Sequence, residues 1–189
     1  PPSSLTKEPS WLLSERADAF INLGNYSQAL NIANQILKQN ATDLDGLEVK
    51  GEALLYQKKD AAALAIFNKL LLQEHHNNID EAWLLDDKGT ALWNLGNDTG
   101  AISTFNAAIT SNPRDAQAYY NRATSFLNLD LHSPPNSPRS SQQQLTLKDL
   151  DRILQDLDTT LKIDPYHSDA KHLKALLTQG LDFEYIHQR

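Results

Sequence analysis

Residues 82–113 read AWLLDDKGTALWNLGNDTGAISTFNAAITSNP. This stretch decides the fold. Leu85, Gly89 and Leu92 lie three and four residues apart, and so do Ala101, Phe105 and Ala108. That spacing predicts two amphipathic helices, each with one apolar face. Between them Leu95-Gly96-Asn97 marks a tight turn, because glycine adopts positive φ without strain. Pro113 ends the second helix, since proline cannot continue the hydrogen-bond ladder. Small residues at Gly89, Ala101 and Ala108 let the two helices approach closely, and the larger ones fill the space beside them.

The same pattern recurs outward from this hairpin. Leu23-Gly24-Asn25 matches Leu95-Gly96-Asn97, and Ala29-Leu30 matches Ala101-Ile102. Small residues fall at Ala17, Gly51, Gly89, Ala123 and Ala175, at spacings of 34, 38, 34 and 52. The two longer steps read as insertions in connecting loops. Helices this short are marginal alone, so neighbouring hairpins must stack to bury a continuous core.

A helix-turn-helix unit of this length, with small, aromatic, small and proline positions, resembles the tetratricopeptide repeat (TPR) family. The first unit supplies Leu13, Ala17, Phe20, Gly24, Tyr26 and Ala29, and the second Leu47, Gly51, Leu54, Ala63 and Phe67. The fourth supplies Tyr119, Ala123 and Phe126, then Leu157 and Pro165 after an insertion. The resemblance implies an all-α, right-handed superhelical solenoid of about four units, near 10–43, 44–77, 82–115 and 116–167, with a capping helix over 168–180. Ser168 is the expected N-cap of that helix and Gly180 its expected end. Residues 1–9 read as a linker and 181–189 as a tail. Several positions depart from the family pattern. Arg16, Lys50, Lys88 and Arg122 stand where a leucine is usual, Lys58 replaces the turn glycine, and Ile153 and Thr160 replace small residues.

The insertion over 131–144 includes His132–Gln144 (HSPPNSPRSSQQQ), which has no hydrophobic residue and is expected to be a mobile loop. Ser133-Pro134 and Ser137-Pro138 in it resemble proline-directed phosphorylation sites, Ser133 and Ser137 being the candidates. Asn25-Tyr26-Ser27, Asn40-Ala41-Thr42 and Asn97-Asp98-Thr99 match the glycosylation sequon, and we take them as chance matches.

Composition narrows the function. The 189 residues are 40% hydrophobic, enough for one core or repeat array, and carry a formal net charge of -7. An acidic chain is a poor match for nucleic acid or an anionic membrane surface. There is no cysteine, which excludes disulfides, iron–sulfur clusters and thiol nucleophiles and fits any compartment, a cytoplasmic one being the default expectation. Methionine is absent too, and with Pro1-Pro2-Ser3-Ser4 this reads as a piece of a longer protein. No catalytic constellation is visible. His75 and His76 are adjacent, so on a helix they would point about 100° apart and make a poor metal-ligand pair. No enzyme activity, cofactor or metal is expected.

In the TPR family the first helix of each unit lines a concave groove. Carried over, the groove positions include Trp11, Glu15 and Asp18 in the first unit and Asp45, Glu48 and Glu52 in the second. The third gives Trp83, Asp86, Asp87, Thr90 and Trp93, and the fourth Tyr120, Asn121 and Thr124. Carboxylates and aromatics recur, and Lys and Arg are missing. The resemblance therefore implies an interaction scaffold whose protein or peptide ligand is basic with apolar anchors. One subclass of the family binds acidic chaperone tails through a clamp of Lys, Arg and Asn. Asn121 occupies one clamp position, but Asp86, Thr90, Asp169 and Leu173 stand at others, so that ligand is disfavoured. Two alternatives remain: a recruitment module of a larger enzyme or membrane-anchored protein, and a self-assembling solenoid.

Overall fold

The computed structural model describes residues 8–73, 81–131 and 147–187, with side chains over 8–73, 81–129 and 148–179. Most of the N-terminal linker, the His75-His76 pair, and Ser133 and Ser137 lie outside the described residues. Among the described residues there are nine helices and no strand. They are α1 (Ser10–Asn22), α2 (Tyr26–Gln39), α3 (Leu44–Tyr56), α4 (Asp60–Leu71), α5 (Glu81–Asn94), α6 (Asp98–Ser111), α7 (Ala116–Leu131), α8 (Leu147–Ile163) and α9 (Ser168–His187). The chain divides into two compact units, residues 1–80 and 81–189.

The hairpins are held by large side chains seated over small ones. In the first unit a Cβ on Gly51 of α3 would lie 2.5 Å from Phe67 Cε1 of α4. In the second, a Cβ on Gly89 of α5 would lie 2.5 Å from Phe105 Cε1 of α6. Both rings are essentially without exposed surface. Only glycine permits this approach, and each ring fills the volume a side chain would occupy. Leu84, next to the predicted Leu85, is also fully buried. Gly46 makes a contact the sequence did not suggest: a Cβ there would lie 2.7 Å from Ile36 Cγ2, so α3 rests closely on α2.

The turns repeat one geometry. Gly24 N–H donates to Ile21 O (2.8 Å) and Asn25 N–H to Phe20 O (2.7 Å); Gly96 and Asn97 repeat this with Trp93 O and Leu92 O (2.9 Å each). Gly24 and Gly96 have φ of 72° and 76°. This is the paired C-terminal closure that satisfies orphan helix carbonyls. Lys58 takes the same place, with φ 59°, and donates to Leu55 O (2.9 Å). The turn thus forms without its glycine, at the cost of a left-handed lysine. Asn25 and Asn97 then cap the next helices, accepting from Gln28 N–H (3.3 Å) and Gly100 N–H (3.0 Å). Asn40 Oδ1 accepts from Thr42 N–H (3.2 Å) in a similar local turn. The three sequon asparagines are therefore helix-cap and turn residues.

The last hairpin uses polar groups where the family pattern has small or apolar ones. Arg122 on α7 makes a bidentate pair with Asp156 on α8, Nε to Oδ2 at 2.8 Å and Nη2 to Oδ1 at 2.6 Å. Its third nitrogen donates to Asn106 Oδ1 on α6 (2.6 Å), and its plane lies over Tyr119. Asp156 is only 4% exposed. The hydroxyl of fully buried Thr160 donates to Asp156 O (2.9 Å) and approaches Ala116 O (3.3 Å). Ile153, Leu157, Ala123 and Ala170 close an apolar cluster beside this network. The packing that joins α7 to α8 is therefore specified despite the long connection between them.

Three expectations need correction. First, α7 runs through Leu131, where the insertion was expected to begin. Second, Ser168 is the first residue of α9, and the cap is His167, whose Nδ1 accepts from Ala170 N–H (3.2 Å). An imidazole nitrogen reaches the free amide as a hydroxyl would, and the same ring packs on Tyr120 at 4.7 Å. Third, α9 continues through Gly180 to His187. A single interior glycine costs only about 1 kcal/mol, and no proline follows it.

Two stability outcomes are expected. Arg122→Ala should cost about 3–5 kcal/mol in chemical denaturation by leaving Asp156 buried without its counter-charge. The double replacement Arg122→Met with Asp156→Leu should recover most of that loss. Lys58→Gly should stabilise by about 1 kcal/mol, by relieving the left-handed backbone at an exposed site.

Candidate functional site

In the N-terminal unit α3 presents Asp45, Glu48 and Glu52 at helical spacing, and α1 presents Asp18 toward them. These four carboxylates influence one another. Glu48 is pushed up to about 7, by burial first and then by Asp18, Asp45 and Glu52. Glu52 is also pushed up to about 7, by burial and by Asp18. Asp18 and Asp45 are raised for the same reasons, with Glu15 and Asp43 contributing. The charges that shift these four groups are all carboxylates. Burial and like charge both disfavour ionisation, so this face holds partly desolvated carboxylates with no counter-ion among the described residues. Trp11, one turn before Glu15, is 61% exposed on α1.

In the C-terminal unit Asp86 on α5 accepts two bonds from Asn121 Nδ2 on α7, at 3.1 Å to each oxygen. Gln117 Nε2 donates to Asn121 Oδ1 (2.8 Å), which fixes the amide. Burial pushes Asp86 up to about 7 although the Asn121 bond opposes it. Trp83 and Asp87 are half-buried on the same helix. Thr90, Trp93, Tyr120, Asn121 and Thr124 surround a cavity of about 130 Å³ with Phe105 at its floor. A wider cleft of about 320 Å³ shares Trp93, Tyr120 and Thr124 and extends to α9.

The structure thus brings Asp18, Asp45, Glu48 and Glu52 together in one unit, and Thr90, Trp93, Tyr120, Asn121 and Thr124 in the other. The sequence register reaches Asp169 and Leu173 of α9 only as clamp positions and leaves out His172 and Leu176; all four line one wall of the wider cleft. Lys171, His172 and Lys174 give the helix a polar load that suits a cap on a repeat array. The signal was present in Leu173, Leu176 and Leu177, which recur at helical spacing.

Among the described residues no helix is long and apolar enough to cross a membrane, and no group of His, Cys, Asp and Glu is arranged to hold a metal ion. No curated protein matches the sequence. Solved structures do. MamA is 17% identical, with 88% of this chain and 84% of that chain covered and a TM-score of 0.65. MamA 41-end from Desulfovibrio magneticus RS-1 is 16% identical over 93% of this chain and 87% of that one, with a TM-score of 0.67. YrrB, described as a TPR protein with an unusual peptide-binding site, is 17% identical over 90% and 94%, with a TM-score of 0.55. At these identities the likeness shows the fold. The tetratricopeptide repeat model itself matches residues 14–79 and 87–132, more than half of the sequence. With the paired helices, positive-φ turns and glycine–phenylalanine packing in place, the chain belongs to the tetratricopeptide repeat family.

Proposed function

We propose that this protein is an interaction scaffold whose α1–α3 face receives a basic segment of a partner protein. TPR proteins bind peptides or proteins and are as a rule non-enzymatic scaffolds. The observation that carries the finer reading is the set Asp18, Asp45, Glu48 and Glu52: carboxylates partly withdrawn from water and raised further by one another and by neighbouring carboxylates. A lysine or arginine arriving there supplies the missing counter-charge, so electrostatic complementarity selects a cation and rejects an anion. Glu15 and Asp43 add to the same field.

The test is binding of labelled decalysine and decaglutamate to the full chain. Decalysine should bind, more weakly as salt rises, and decaglutamate should not. Glu48→Gln with Glu52→Gln should weaken decalysine at least tenfold. A cation lowers the values of Glu48 and Glu52, so binding near pH 7 should release protons, seen calorimetrically in buffers of different ionisation enthalpy, and should tighten from pH 6 to 8. Equal binding of both peptides, or no proton release, would remove this reading.

The same carboxylates set a pH dependence of stability. Their folded values exceed the ordinary value of 4.5, so between about 4.5 and 7 the folded chain holds more protons than the unfolded one. Their destabilising effect is absent below that window and complete above it. The Glu48→Gln, Glu52→Gln variant should therefore raise the denaturation midpoint at pH 8 and change it little at pH 4.5.

A further inference from the structure

The cleft between α5, α7 and α9 offers a second, chemically different subsite. It lies within the C-terminal unit, away in sequence from the acidic face on α1 and α3. Its floor is the buried ring of Phe105, and Trp93, Tyr120 and Thr124 rise around it. This inner part is largely apolar and has room for one bulky side chain. The outer part reaches the exposed carboxylate of Asp169 and the side chain of Leu176, which is 53% exposed. Among the described residues no Lys or Arg lines either part. The two lysines on that stretch of α9 are engaged elsewhere, Lys171 over the Tyr166 ring and Lys174 with Asp158. One donor is left over: the indole Nε1 of Trp93 is buried and has no acceptor among the described residues.

We propose that this cleft anchors a linear segment of a partner protein that carries a bulky apolar side chain directly beside a lysine or arginine. The apolar side chain covers Phe105 and the ring of Trp93. The cation meets Asp169, and the aliphatic stem crosses Leu176. A main-chain carbonyl of the segment is the natural acceptor for the Trp93 indole after a small adjustment of the wall. This specifies a subsite within the protein-binding role proposed above, and it makes α9 part of the recognition surface.

The experiment uses the full chain and four labelled Gly/Ser dodecapeptides whose central pair is Phe-Lys, Ala-Lys, Phe-Glu or Ala-Glu. Affinity is followed by amide and indole shifts in ¹H–¹⁵N spectra. Phe-Lys should bind at least tenfold more tightly than any control and shift the Trp93 indole and Leu176 signals. Thr124→Trp, which fills the inner cavity, should weaken Phe-Lys at least tenfold. Asp169→Lys, at an exposed site, should reverse the preference between Phe-Lys and Phe-Glu while far-UV circular dichroism shows the fold kept. Glu48→Gln with Glu52→Gln should leave the Phe-over-Ala preference unchanged. No Phe-Lys binding up to millimolar peptide overturns the proposal, as does an unchanged preference in Asp169→Lys. A wild-type dimer that Thr124→Trp abolishes, with no peptide bound, gives the cleft to a second copy of this chain and also overturns it. If the peptides fail here while decalysine still binds in a Glu48- and Glu52-dependent way, the acidic-face reading stands and the anchor falls. The reverse outcome separates them in the other direction.

Discussion

The fold depends on how closely a first helix can approach its second, and that distance is set by a ring lying on a glycine. Phe67 over Gly51 and Phe105 over Gly89 are the same contact in the two units. Without a Cβ the first helix offers a shallow notch, and the phenyl ring occupies it with almost no exposed surface. Dispersion between a flat ring and a helix backbone is weak per atom but is collected over the whole ring face. Once the ring is seated, the turn between the helices has little freedom, which is why the Gln57-Lys58-Lys59 turn adopts the same closure as Leu95-Gly96-Asn97. Where the small residue is alanine, as at Ala17 and Ala123, isoleucine and leucine side chains fill the facing space instead.

That dependence explains what could be read from sequence. Glycine and phenylalanine at fixed spacing, and glycine in the turns, carry their geometry in their identity. The paired helices of residues 82–113 and the match to residues 10–56 were therefore legible. Lys58 was legible only as an anomaly: the neighbouring packing imposes the turn, and a left-handed lysine is tolerated. Thr160 and Arg122 looked like defects because the pattern treats those positions as small or apolar. They are parts of one polar network, and a network joining residues 34 apart has no local signature. The end of α9 was misjudged for the opposite reason. A glycine was given the weight of a stop signal where the following residues remain compatible with a helix.

The candidate site was legible in part. Repeat register placed Asp45, Glu48 and Glu52 on one helix face and Thr90, Trp93, Tyr120 and Thr124 around one cavity. Register could not show how far each carboxylate is withdrawn from water, since that depends on neighbours from other helices. Asp86 illustrates this: its amide partner Asn121 comes from the next hairpin, and burial still outweighs that bond. Register carried onto α9 reaches Asp169 and Leu173, but Leu176 is hidden among charged residues.

Withdrawn charge is used here in two opposite ways. Asp156 is nearly inaccessible, and its counter-charge is supplied within the chain: a bidentate guanidinium, itself held by Asn106 and stacked on Tyr119. That closed arrangement leaves nothing for a ligand to add, and it suits a junction between helices. Glu48 and Glu52 are less buried, yet burial and neighbouring carboxylates push both up to about 7. An internal cation would stabilise the fold more. Among the described residues none is paired with them, and in the proposed role a cation from a partner would supply that charge. In the proposed role, a structural and a recognising carboxylate differ in whether the compensating charge belongs to the same chain.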